Sequence, residues 1–86
     1  MRSDNVFVCE GDVRTVPLLE LVRWISRTGT PSRVEVWLAG RVVGELKLIG
    51  ADVDCWTGSW SGEEAFSRLV ESSEGSYRVF RTELAA

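Results

Sequence analysis

Hydrophobic positions along this chain recur with period two in some stretches and with the 3.6-residue helical period in others. Val6-Phe7-Val8-Cys9 is a short β-branched and aromatic run closed by the turn signal Glu10-Gly11-Asp12, which predicts a first strand. From Pro17 the pattern becomes helical, with Leu18, Leu21, Val22 and Ile25 at i, i+3, i+4 and i+7. Proline suits a first helical turn, Gly29 suits a left-handed cap and Pro31 prevents continuation, so a helix is expected from about Pro17 to Thr28. Arg33 restores period two: Val34, Val36 and Leu38 share one face, and Arg33, Glu35 and Trp37 the other. Ala39-Gly40 is a hairpin turn, after which Arg41–Ile49 returns with Val42, Gly44, Leu46 and Leu48 on one face. Gly44 within that run predicts a bulge or a close backbone approach. Gly50-Ala51 turns the chain into Asp52–Trp56, with Val53 and Cys55 inward.

Ser61-Gly62-Glu63-Glu64 has the spacing of a capping box and precedes a stripe of Ala65, Phe66, Leu69 and Val70. A second helix is expected there, closed by Gly75. Tyr77, Val79 and Arg81 alternate with Arg78 and Phe80 in a last strand, and Glu83 to Ala86 carry no pattern. The sum is an α+β fold: an antiparallel sheet of about five strands with two helices packed on one face. Its other face is left to solvent or to a partner.

Length permits one domain, 1–86, with a thin core that oligomerisation commonly supplements. The net charge of −3 supplies no positive field, so neither nucleic acid nor an anionic membrane is an expected partner. Met1-Arg2-Ser3-Asp4-Asn5 lacks the apolar core of a signal peptide and no stretch reaches the length of a membrane span, so a cytoplasmic location with reduced thiols is expected. A disulfide between Cys9 and Cys55 on neighbouring strands is the alternative.

There is no histidine, which removes Ser-His and Cys-His nucleophile pairs and the commonest proton carrier near neutral pH. Two cysteines without histidine do not make a four-ligand zinc site. Asp52 and Asp54 share a strand face and are able to hold a hard cation, although solvated charges are the simpler reading. Glu63 and Glu64 suit the positive end of a helix. The small-residue loop 57–62 precedes a helix N-terminus, the place where a phosphate is cradled, yet it lacks the P-loop lysine and the dinucleotide glycine spacing. No catalytic residue, metal or cofactor is expected.

The chain holds four tryptophans, Trp24, Trp37, Trp56 and Trp60. Strand parity places Trp37 and Trp56 opposite Val34, Val36, Val53 and Cys55, with Val43 and Ile49 on the same outer face. These four and Trp60 are the candidate interface residues, because a large exposed apolar patch marks a contact surface. The competing reading is that a small core simply needs their bulk.

Gly11-Asp12, the helix from Leu18 to Ile25, Arg27-Thr28-Gly29, Gly44-Glu45-Leu46-Lys47-Leu48, Gly62-Glu63-Glu64-Ala65 and Glu74-Gly75-Ser76-Tyr77 stand in an order that resembles the PATAN domain family of bacteria, over about residues 6 to 81. Ile49-Gly50 replaces an Asp-Gly turn, and Thr30-Pro31-Ser32 lengthens the link after Gly29. The resemblance implies a non-catalytic interaction module, here a free-standing adaptor linked to signalling, polarity or motility; the thin core and the open sheet face add the expectation of a homodimer. It supplies no catalytic residues. A small-ligand or nucleotide sensor using the loop 57–62 is the alternative.

Overall fold

The computed structural model describes the backbone of residues 2–50 and 52–85 and the side chains of 6–50 and 52–82. In chain order the elements are β1 (Arg2–Asp12), α1 (Leu18–Thr28), β2 (Ser32–Leu38), β3 (Arg41–Ile49), β4 (Asp52–Thr57), β5 (Trp60–Ser61), α2 (Gly62–Glu71) and β6 (Ser76–Ala85). The strands form one antiparallel sheet in the order β1-β6-β2-β3-β4-β5. The fold class is therefore α+β.

Period two along the strands divides the sheet cleanly. Val34 and Val36 of β2, Leu46 and Leu48 of β3, Cys55 of β4, and Tyr77 and Val79 of β6 are buried beneath the helices. Leu18, Leu21, Val22 and Ile25 of α1 and Ala65 and Leu69 of α2 close the core from above. Each of these larger aliphatic side chains contributes roughly 1.5–3 kcal/mol by leaving water. Pro17 stands one residue before α1, at ψ 145°, and Gly29, at φ 70°, ends the helix in the left-handed conformation that the sequence predicts.

Gly44 is a close approach: a Cβ there would lie 2.7 Å from Leu69 Cδ2 and 2.9 Å from the Trp56 carbonyl oxygen, so α2 rests on β3 only because that position is bare. The β2–β3 ladder slips beside it. Val36 faces Gly44, but Trp37 faces Val42, leaving Val43 as the extra residue. This overturns the expected parity of two residues. Val42 stands opposite Trp37, and Val43 packs against the core instead of joining the outer face.

Three further expectations are corrected, and the disulfide alternative is ruled out. The first and last strands reach beyond their patterned centres, pairing from Arg2↔Ala85 to Asp12↔Ser76, because each supplies the other's hydrogen-bond partners. Ser61 makes no side-chain bond to the helix it precedes, since its backbone is already paired with Trp56 in β5, and Gly62 at φ 62° starts α2. Gly75 does not close α2, whose last residue is Glu71. Instead it sits at φ 108° with its α-carbon so near the Trp37 carbonyl that a Cβ would come within 2.6 Å. Finally, Cys9 and Cys55 are free, and β6, β2 and β3 lie between their strands. Four strand spacings amount to about 19 Å, far beyond disulfide reach.

Candidate interaction surface

Among the described residues no helix covers the face of the sheet opposite α1 and α2. The register runs Glu10, Arg78, Glu35, Glu45, Trp56 and Ser61 across it in one row, from β1 to β5. The adjoining row runs Phe7, Phe80, Arg33, Lys47 and Asp54. Beyond the first row, Asp12, Ser76, Trp37 and Val42 complete the pattern. Charged side chains of both signs and aromatic rings are thus brought together from strands that are remote in sequence, with Glu35 opposite Glu45 and Arg33 opposite Lys47.

Planar guanidinium groups cover the rings. Arg78 lies 4.5 Å from the centre of the Trp37 ring, and Arg33 lies 4.7 Å from that of Phe80. Phe80 meets Phe7 edge-to-face at 5.7 Å. Arg33 Nη1 donates to Glu35 Oε2 at 3.1 Å and to Glu45 Oε2 at 3.2 Å, and the indole Nε1–H of Trp37 donates to the other oxygen of Glu35 at 3.3 Å. Arg33, Glu35 and Glu45 are half-buried by this packing, and Arg33 Nε is buried with no partner among the described atoms. Arg78 also pairs with Glu10 at 3.5 Å. Trp37 is consequently half-buried on its own sheet.

The candidate residues separate on this map. Trp37, Ile49 and Trp56 lie on the outer face, Trp56 opposite Glu45 and Ile49 opposite Asp52. Ile49 is 62% exposed and Trp56 42%. Trp60 stands at the margin, its ring beneath Arg68 of α2 at 3.9 Å. Val43 belongs to the core side. Trp24 projects from α1 beside Val8 on the helical side. The outer face is therefore aromatic and charged, where the sequence reading expects an apolar patch. Arg33, Arg78, Glu35, Glu45 and Phe80 are the residues that reading did not single out. For all but Glu45, the i, i+2 spacing with Trp37 or with one another is the available signal.

At one end of the sheet, Glu10, Asp12, Arg14, Trp37, Leu38, Gly75 and Arg78 enclose an open cleft of about 480 Å³. Asp12 accepts the Arg14 backbone N–H at 2.8 Å, and this bond, with the Arg14 side chain, holds its carboxyl below the usual carboxylate range.

Loop 57–62 is a hairpin instead of an open cradle. Thr57 pairs with Trp60 and Trp56 with Ser61 around Gly58, while the Thr57 hydroxyl donates to the Val43 carbonyl at 2.8 Å. Glu63 and Glu64 follow in the first turn of α2, placing negative charge where a phosphate would need positive potential. Asp52 and Asp54 are exposed on β4, opposite Ile49 and Lys47. The Cys55 thiol donates to the Gly62 carbonyl at 3.2 Å, and burial, with Asp54 nearby, pushes its pKa up. No helix among the described residues is long and apolar enough to cross a bilayer. In comparisons with known proteins, no family model, no curated protein and no solved structure matches the chain.

Proposed function

We propose that the chain is a non-catalytic protein–protein interaction adaptor of bacterial signalling, polarity or motility regulation, which presents its outer sheet face to a protein partner and also self-associates. One observation carries the reading: Ile49 and Trp56 stand exposed, and Trp37 half-buried, on the same face of the sheet, which no described helix covers. Tryptophan and arginine on a mixed polar surface are the composition from which binding hot spots are built. The paired charges around them favour a partner of complementary charge and select against mismatched ones. The PATAN-like order of motifs supplies the class of role.

Wild-type protein and the variants Trp56→Ala, Ile49→Ala and Trp37→Ala, each verified as folded by circular dichroism, are immobilised and exposed to lysate of the native host. Bound proteins are quantified by mass spectrometry. A protein enriched on the wild type and reduced by about tenfold or more on Trp56→Ala is expected. Equal retention of every bound protein by all four chains would sink the reading.

A further inference from the structure

The sheet has two unequal edges. β5 is two residues long and leads directly into α2, whereas β1 runs for eleven residues and, among the described residues, pairs on one side only, with β6. Its outer side is a row of backbone donors and acceptors available to another strand. Edges of this kind are normally blunted by lysine, proline, inward charge or a bulge, and Val6-Phe7-Val8-Cys9 carries only the last. The ladder irregularity between Phe7 and Cys9 leaves Val8 as the extra residue. Val8 is 45% exposed and lines a hollow of about 160 Å³ together with Trp24, Ile25, Val79 and Arg81. Trp24 is 54% exposed on that side of the edge and Phe7 53% exposed on the other.

We propose that β1 is the self-association site, pairing antiparallel with β1 of a second copy of this chain about a two-fold axis. The proposal rests on the self-association in the reading above and assigns it to the sheet edge in place of the sheet face. Length selects the occupant. Of the sheet's two edges only another β1 offers comparable reach, because β6 and β3 are paired on both sides and the opposite edge consists of the two-residue β5 and the short stretch Asp52–Cys55 of β4. Head-to-tail pairing of β1 with the β4–β5 edge would propagate into a filament on a much shorter ladder, whereas β1 on β1 closes. Symmetry matches the chemistry at the centre of the strand. The apolar centre Val6–Val8 meets itself, and the charged positions fall towards the two ends of the strand. On the helical side, Val8 and Trp24 of each copy gain an apolar neighbour, which supplements main-chain pairing in the manner of strand addition. A ladder with so few side-chain anchors is small beside a standard interface, so micromolar dissociation is expected.

Sedimentation velocity from micromolar to submillimolar concentration is measured on the wild type, Phe7→Lys, Val8→Lys and Trp56→Ala, with hydrogen exchange of the Arg2–Glu10 segment as a second readout. The expected result is a concentration-dependent dimer whose dissociation constant rises by about tenfold or more in Phe7→Lys and Val8→Lys and is unchanged in Trp56→Ala. Wild-type amides of β1 should gain protection as concentration rises, a readout independent of whether either lysine variant folds. A wild type that stays monomeric throughout overturns the proposal, including the case in which β1 accepts a strand from a different protein. A dimer weakened by Trp56→Ala but not by the lysine variants, or one that leaves β1 exchange unaltered, also overturns it and returns self-association to the outer face. Neither result touches capture of a separate partner by Trp56.

Discussion

Ala39 holds φ 52° and Gly40 φ 78°, the pair of positive angles that a two-residue hairpin needs if its twist is to match the strands it joins. Alanine pays a steric cost in that region which asparagine tolerates better. Ala39→Asn should therefore stabilise the fold by about 0.5–1 kcal/mol, visible as a raised Tm in thermal unfolding. Gly44 gives the opposite sign. Its missing side chain leaves the space that Leu69 and the Trp56 carbonyl occupy, so Gly44→Ala should cost about 1–3 kcal/mol in chemical denaturation, because one of the two neighbours is backbone and does not yield. At Cys55 the issue is ionisation. Burial raises its pKa above that of the unfolded chain, so the thiol favours the fold fully below the unfolded value, and that contribution is lost as pH rises through the folded one. Tyr77, also raised by burial, acts in the same direction at higher pH. Tm should fall as pH climbs above about 8.5, and Cys55 should react with a thiol reagent much more slowly in native protein than in denaturant.

Among the elements, the Arg33–Glu45 contact joins β2 to β3 on the outer face and is the best placed of the ion pairs to matter, because both side chains are mostly covered. A double-mutant cycle with Arg33→Met and Glu45→Gln should give a coupling of about 0.5–1 kcal/mol that shrinks with added salt. A value indistinguishable from zero would mean that Arg33 acts through its contacts with Phe80 and Glu35. The periodicity of Leu18, Leu21, Val22 and Ile25 made α1 legible from sequence almost to the residue, and the alternation from Arg33 to Trp56 did the same for β2, β3 and β4. The outer strands were legible only at their centres. Residues 2–5 and 83–85 carry no alternation, and they are strand because each run lies beside the other, a non-local cause. Ser61 failed as a cap for a similar reason: its backbone is committed to Trp56, and a capping motif does not reveal that. Parity placed Trp37 and Trp56 on the outer face correctly. It did not reveal that Arg78 and Arg33 would cover Trp37 and Phe80, because that requires the register between β6 and β2, far apart in the chain. Val43 was misassigned because one extra residue in a ladder reverses every parity argument made across it.

At the level of the whole molecule, strand order decides matters that the composition left open. With β6, β2 and β3 between the strands of Cys9 and Cys55, no intramolecular bridge forms without unfolding, so Tm in non-reducing buffer should equal that with excess reductant. The same order assigns separate duties to separate regions: helices on one face, an aromatic and charged field on the other, and one long strand at the border. It also brings the described ends of the chain together, with Arg2 directly opposite Ala85. A molecule whose ends are ladder neighbours tolerates being cut and rejoined. A circular permutant linked across that junction and reopened between Ala39 and Gly40 retains every strand pairing, and the module is able to sit within a surface loop of a larger protein without either end being stretched.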